Sequence, residues 1–348
     1  MSVFSVSKIF PSDHKNQRQV TQLLEAAGIQ RDLNLDYTCG IFNEKDQLIA
    51  TGSLFKNSLR CFAICQKYKG EGLLNLIVSH LLTKAVEDGH SHVFVYTKPD
   101  ASHFFADLGF YPIVSIPELL TFMENRKEGF KHYLDKLALA TSKNKSQAAI
   151  VLNANPFTLG HLHLIEKAAL ENEVLHLFMV SDDSSLIPFH IRKELILAGT
   201  AHLDNIIYHE TGPYIISQAT FPSYFQKDKQ SVIVSQAKLD LTIFTAIANQ
   251  LGIHKRYVGQ EPHSQVTGIY NAIMQEYLPQ EGIDCVLIPR KEVNGQIISA
   301  STVRQYLKDK QVNKIKPLVP KTTYDFFTSE RAKDIINRIQ KSKSVIHY

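Results

Sequence analysis

Residues 152–168 read LNANPFTLGHLHLIEKA. An apolar, strand-like run (AAIVLN, 148–153) leaves through Asn-Pro and Gly160, and a helix-period stripe then follows, with Leu162, Ile165 and Ala169 on one side. A strand that turns through such a break into a helix is half of a βαβ unit. The rest of the C-terminal half continues the pattern: VLHLFMV (174–180), NIIYHE (205–210), KRYVGQ (255–260) and DCVLIP (284–289) are short apolar runs with helix-period segments between most of them. The alternation predicts a Rossmann-like parallel sheet with helices on both faces and a ligand site at the carboxyl ends of its strands.

Residues 1–140 have a different rhythm. A possible strand (VFSVSKIF) and a helix (NQRQVTQLLEAAG) precede three successive strand-like runs, YTCGIF, QLIATGSLF and LRCFAIC. A helix (EGLLNLIVSHLLTKAVEDG), a strand (HVFVYTK), a short helix (SHFFADLGF) and further short elements follow. This order predicts an α+β domain. The polar stretch LATSKNKSQ, residues 139–147, is the expected boundary, which gives domains 1–140 and 148–348. From Lys308 onward a helical extension is expected.

Composition excludes several classes. With 44% hydrophobic and 21% charged residues, the 348-residue chain has enough apolar surface for two ordinary cores. No run approaches the ~18 consecutive apolar residues of a membrane span, and the N-terminus lacks the pattern of a secretory signal, so a cytoplasmic protein with no membrane partner is expected. Cys39, Cys61, Cys65 and Cys285 have no zinc-site spacing and read as free thiols. The formal charge of +4 comes from residues 308–348, where ten Lys/Arg face four Asp/Glu and the rest of the chain is net −2. That tail reads as a solvated helical face rather than a nucleic-acid surface.

His161 and His163 lie ~200° apart on a helix, so they do not chelate one metal, and an HxH strand pair is the poorer reading beside Gly160. The helix end itself offers unpaired N–H groups at the positive end of a dipole, a natural phosphate site. Gly160 permits close approach, and His161 adds a donor, whereas His163 is expected to point elsewhere. Further on, IISASTVRQYL places Ile298, Ser299, Ser301 and Arg304 at the start of another helix after the last strand. The hydroxyls serve equally as N-caps or as phosphate donors.

The pair NPFTLGH and ISASTVR resembles the nucleotidyltransferase superfamily, whose two motifs flank ATP. Within it, NANPFTLGH, RKELILAGTAHLDNI, YIISQATFPSYF, VGQEP, YNAIMQEYLP and IPRKE are similar to citrate lyase ligase. The resemblance implies an AMP-forming acid–thiol ligase that joins acetate to the thiol of the citrate lyase acyl carrier subunit through acetyl-adenylate. It implies ATP as substrate, with Mg2+ accompanying it, and no metal site in the protein. Thr158, His161 and Arg304 are the implied catalytic residues. Asn155, Pro156, Phe157, Gly160, Arg192, Gly259, Glu261, Ser299 and Ser301 are the implied ATP contacts.

In the first half, QKYKGEGLLNLIVSHLL resembles the pyrophosphate-binding turn of GNAT-type acetyltransferases, and FFADLGFYPI resembles a late segment of that fold. Lys67, Gly70 and Gly72 match [RQ]-x-x-G-x-G except for Lys67, which stands where Arg or Gln is usual. A GNAT-like domain beside the adenylation domain implies a place for the carrier's dephospho-CoA-like prosthetic arm. Two other readings stay open: a nucleotidyltransferase that joins AMP to a phosphorylated precursor such as phosphopantetheine, and an acetyl-CoA-dependent acetyltransferase.

Overall fold

The computed structural model describes residues 4–32, 34–139, 146–215, 221, 229–260, 265–293, 295–342 and 344–345. The chain divides into two compact units, Met1–His132 with Pro222–Leu239, and Tyr133–Phe221 with Asp240–Tyr348. Residues 140–145 of the expected boundary lie outside the described residues. The division differs from the expected 1–140 and 148–348 chiefly in that Pro222–Leu239 clusters with the first unit.

The first unit carries β1 (Val6–Lys8), α1 (His14–Ala26), β2 (Tyr37–Phe42), β3 (Leu48–Phe55), β4 (Ser58–Ile64), α2 (Leu73–Glu87), β5 (Phe94–Thr97), α3 (Ser102–Ala106), β6 (Tyr111–Ile116) and β7 (Leu120–Glu124). They form a seven-stranded sheet in the order β1-β2-β3-β4-β5-β7-β6. This is the α+β arrangement that the run of strands predicts. The apolar stripe of α2, with Leu73, Ile77, Val78, Leu81 and Ala85 buried, packs with Cys39, Ile41 and Ile49 of the sheet. Only one pairing is parallel among these neighbours, and it is short: β4 meets β5 at Ser58↔Phe94 and Leu59↔Val95. Beyond Leu59 no further β4–β5 pairs form, and β4 runs on toward the glycine turn before α2.

α4 (Gly129–Ala138) comes next, and then β8 (Gln147–Leu152), α5 (Leu159–Glu171), β9 (Val174–Met179), α6 (Phe189–Gly199), β10 (Ile206–Glu210), α7 (Lys229–Leu251), β11 (Lys255–Gly259), α8 (Gln265–Gln280) and β12 (Asp284–Ile288). A small β13 (Glu292–Val293) and β14 (Gln296–Ile297) hairpin leads to α9 (Ala300–Lys308), α10 (Lys321–Thr328) and α11 (Lys333–Lys341). The five-stranded sheet of the second unit has the order β10-β9-β8-β11-β12, and every pairing in it is parallel. The Rossmann-like expectation holds. Chain order runs outward from β8 to one side and then from β11 to the other, so the switch point lies between those two strands.

The C-terminal segment corrects its reading as a solvated tail. Ile315, Leu318, Phe326, Phe327, Ile335, Ile339 and Val345 join one core cluster with Ile150 and Leu177 of the sheet. Charge counting misses this because each short helix keeps its lysines outward and turns an apolar face inward. In α7, Ser231–Leu251 is long and apolar enough to cross a membrane, with mean hydropathy 1.3. Its Leu241, Ile243, Phe244, Ile247 and Leu251 are buried within this fold instead.

Candidate active site

β8 and β11 pair only at Lys255↔Ala148 and Arg256↔Ala149 and then part. The gap becomes a cavity of ≈ 430 Å³, within the range of small-molecule sites. Asn153, Ala154 and Asn155 border it after β8, Val258 and Gly259 on β11, and Pro289 and Arg290 after β12. It therefore sits at the carboxyl ends of the strands, at the switch point.

The start of α5 forms one wall through Thr158, Gly160 and His161. Thr158 is the N-cap, and its side chain accepts from the His161 backbone N–H. In return the Thr158 backbone N–H donates to His161 Nδ1 at 3.1 Å. Burial, and secondarily the charges of Arg290 and Arg304, push the His161 pKa down to about 4. The ring is neutral at pH 7, so what it offers an anion is a donor and not a full positive charge. A Cβ at Gly160 would meet Ile298 O and Thr158 Oγ1 at 3.5 Å, an ordinary contact. Packing within the protein does not demand glycine there; close approach by a ligand would. The Leu159 N–H is used by Leu318 O at 2.9 Å, which ties the C-terminal segment to this helix end.

Ser299 takes a capping role, and Ser301 lies in the first turn beside it. Ser299 is the N-cap of α9, its Oγ accepting from the Thr302 N–H at 3.1 Å and lying 2.9 Å from Ser301 Oγ. Ile298, Ala300 and Arg304 of the same motif border the cavity. Arg304 is 3% exposed, and its Nε donates to Val345 O at 2.8 Å while Nη1 donates to Asn155 O. Part of its fork therefore fastens backbone. Asn155 and Gly259 line the cavity, while Pro156 and the fully buried Phe157 are not among the lining residues.

Arg192 lies apart from the expected ATP contacts that border the cavity. It is fully buried and does not line the cavity. Its Nε donates to Ile187 O, its Nη1 to Asn153 O, Asn153 Oδ1 and Val180 O, and its Nη2 to Asp182 O, all within 3.1 Å. It fastens the loops after β8 and β9. His163, expected to point elsewhere, does border the cavity, because a cavity placed over a helix end meets more than one side of the helix. Glu261 lies outside the described residues, as do 216–220 and 222–225 of the YIISQATFPSYF stretch.

Sequence reasoning did not single out Arg256, Thr267, Tyr270, Asn271, Met274 and Arg290, which complete the wall. They come from β11, α8 and the end of β12 and share no local pattern. Tyr270, Asn271 and Met274 lie in the stretch YNAIMQEYLP and Arg290 in IPRKE, but the resemblance names none of them as a site residue; the Arg290 Nε donates to Gln260 O at 2.6 Å. In the first unit Lys67 lies in the turn before α2, where Gly70 (φ +87) and Gly72 (φ +71) adopt left-handed backbone. A Cβ at either would meet nothing within 4 Å, so these glycines are set by conformation and not by crowding.

A family model described as the citrate lyase ligase C-terminal domain matches residues 147–327. The citrate (pro-3S)-lyase ligase of Escherichia coli (strain K12) is 36% identical over 329 residues, covering 92% of each chain. The chain belongs to the citrate lyase ligase family. Family relatives of the same name from Klebsiella pneumoniae and Haemophilus influenzae are 37% and 34% identical, over 85% and 90% of this chain and 89% and 96% of theirs. This family membership makes the protein an enzyme of the ligase type. Among solved structures, a putative acyl-CoA N-acyltransferase from Klebsiella pneumoniae aligns with 36% of this chain and 97% of its own, at 15% identity and TM-score 0.31. Escherichia coli ElaA aligns with 36% of this chain and 100% of its own, at 14% identity and TM-score 0.32.

Proposed function

We propose that this protein activates acetate with ATP as acetyl-adenylate, releases pyrophosphate, and passes the acetyl group to the thiol of the citrate lyase acyl carrier subunit with release of AMP. The observation that carries this reading is convergence: Thr158, Gly160 and His161, and Ile298, Ala300 and Arg304, ~140 residues further on, border one cavity at the switch point of a parallel sheet.

Adenylation needs two anions held in line and the charge growing on pyrophosphate neutralised. The N-termini of α5 and α9 supply oriented dipoles, Arg290 supplies charge, and His161 presents its Nε2–H to a phosphate oxygen. Magnesium enters as part of the ATP substrate. Among the described residues no group of three His, Cys, Asp or Glu is placed to hold a metal, and no carboxylate lines the cavity. The phosphates would hold the ion.

In the first unit, the backbone N–H groups around Gly70 and Gly72 take the pyrophosphate of the carrier's arm, beside the gap where β4 leaves β5. Four free cysteines, two of them buried, fit a reducing compartment such as the cytoplasm.

ATP–pyrophosphate exchange with and without acetate tests the reaction. Exchange that depends on acetate, followed by acetylation of the carrier thiol, is the expected result. Exchange driven instead by a phosphorylated cofactor precursor, or acetylation from acetyl-CoA without ATP, would overturn it.

A further inference from the structure

Arg256 occupies the last paired position of β11 before that strand leaves β8, and it lines the cavity. It is 5% exposed. Among the described residues its Nε and Nη1 have no hydrogen-bond partner. Buried donors on a charged group are costly to leave unmade, and protein interiors seldom do so. Phe244 covers one face of the guanidinium, its ring centroid 4.3 Å from Cζ. On the α8 side the Tyr270 hydroxyl donates to Asp240 Oδ2 at 3.3 Å, and Asp240 Oδ1 also lacks a partner. Among the described residues no ion pair within 4 Å joins Arg256 to a carboxylate; burial pushes the pKa of the nearby Asp240 carboxyl up to about 7, with the Arg256 charge opposing that shift.

We propose that the unfilled donors of Arg256 bind the carboxylate of the small acid the enzyme activates, with Asp240 and Tyr270 as positioning residues. This rests on the acid-activation reading above and adds the residue that selects and holds the acid. A carboxylate is a planar anion with two acceptor oxygens, the complement of a guanidinium. The features proposed to bind phosphate are, by contrast, the starts of α5 and α9 together with Arg290. Met274 and Ile288, both nearly buried, supply apolar lining for a methyl group. In the step itself one carboxylate oxygen attacks the α-phosphorus and forms the C–O–P bond. The P–O bond to pyrophosphate breaks, and pyrophosphate leaves with that electron pair, while the second carboxylate oxygen stays on Arg256.

The test uses the full-length protein, with ATP–pyrophosphate exchange measured at varied acetate and varied ATP for wild type, Arg256→Gln, Arg256→Lys and Tyr270→Phe. In Arg256→Gln the acetate KM should rise roughly 10- to 100-fold, as for a lost hydrogen bond to a charge, with the ATP KM within about twofold. Arg256→Lys should show a smaller rise with the same split. Tyr270→Phe should raise the acetate KM and leave the ATP KM alone, which a merely structural role would not do. If circular dichroism shows that the glutamine variant is unfolded, the lysine and phenylalanine variants decide by the same criterion. A rise confined to the ATP KM, or unchanged acetate KM in folded variants, overturns the assignment while leaving acid activation standing. A wild type that exchanges with no carboxylic acid overturns both.

Discussion

Thr158 and His161 hold one another at the start of α5: the Thr158 backbone N–H donates to His161 Nδ1 at 3.1 Å, and the His161 N–H donates to Thr158 Oγ1 at 3.3 Å. An acceptor at Nδ1 leaves the proton of the neutral ring on Nε2. The cap thus sets the tautomer that presents a donor to the cavity, so one residue of the fold is also placed for the proposed chemistry.

His161→Ala should therefore have two separable effects. Adenylation should fall by about 2–4 kcal/mol of transition-state stabilisation, the usual loss of a donor aimed at growing charge. Stability should fall by only about 1 kcal/mol, as for a weakened cap. Pyrophosphate exchange and thermal melting measure the two. His163 also borders the cavity but has no part in the cap, so His163→Ala should melt like the wild type. An exchange loss in His161→Ala no larger than its unfolded fraction would remove the residue from the chemistry.

A buried chain of side chains predicts acid sensitivity. His176 Nδ1 lies 2.8 Å from His209 Nε2, and His176 Nε2 lies 2.7 Å from Gln147 Oε1. Burial holds both histidines below the ordinary imidazole range, and the His176 charge adds to the effect on His209. The unfolded chain, with its histidines near pH ~6.5, then binds more protons than the folded chain below that pH. Stability from the pair is fully present above ~6.5 and is lost as pH falls below it, by at most ~1.4 kcal/mol per pH unit per histidine. Denaturant melts at pH 7 and pH 5 should show a steeper loss in wild type than in His209→Gln. Parallel losses would place the acid sensitivity elsewhere.

Arg192→Lys separates a structural arginine from a nucleotide contact. Its guanidinium donates to four backbone carbonyls and one side-chain oxygen around the loops after β8 and β9. Lysine cannot reach them all from one ammonium group, so stability should fall by on the order of 3 kcal/mol, with the ATP KM of the folded protein within about twofold of wild type. A large rise in ATP KM at unchanged melting temperature would restore Arg192 to the nucleotide site.

Gly199→Ala probes the support behind the same motif. An added Cβ would lie 2.4 Å from Phe157 Cε1, and Phe157 is fully buried beside Thr158. Overpacking of this kind costs ~1–3 kcal/mol. Because relief must move Phe157 and the cap next to it, exchange activity should fall along with the melting temperature.

These cases show which parts of the molecule the sequence makes legible. β8, β9, β10, β11 and β12 are apolar runs between clear breaks, and Thr158, Gly160, His161 and Arg304 stand in short contiguous motifs, so both announce themselves locally. The β6–β7 hairpin does not, because Pro112 and Pro117 interrupt its alternation. Arg256, Tyr270 and Asn271 meet only after β11 and α8 fold together, and a lone arginine in a strand carries no periodic signal. Arg192 enters only through the family resemblance, and its ring of carbonyls, which shows a fastening role, has no signature in the sequence. The C-terminal helices are visible as helices, but their burial depends on how charge is arranged around them, which a net count discards.

Gly70→Val tests the role proposed for the first unit. Gly70 has φ +87 with nothing within 4 Å of its missing Cβ, so the chief cost of valine would be strain in a left-handed backbone, at ~1–2 kcal/mol. It would also put a branched side chain where the carrier's pyrophosphate is proposed to approach the N–H groups before α2. Holding the arm raises the effective concentration of its thiol near acetyl-adenylate without touching adenylation, because the ATP motifs belong to the other unit. Acetyl transfer to the carrier should therefore weaken, while acetate-dependent pyrophosphate exchange stays near the wild-type rate. Melting and circular dichroism would establish that the variant is folded. If both activities fell together in a folded variant, or neither changed, the glycine turn would have no part in holding the arm, and the first unit would be a structural element of the ligase.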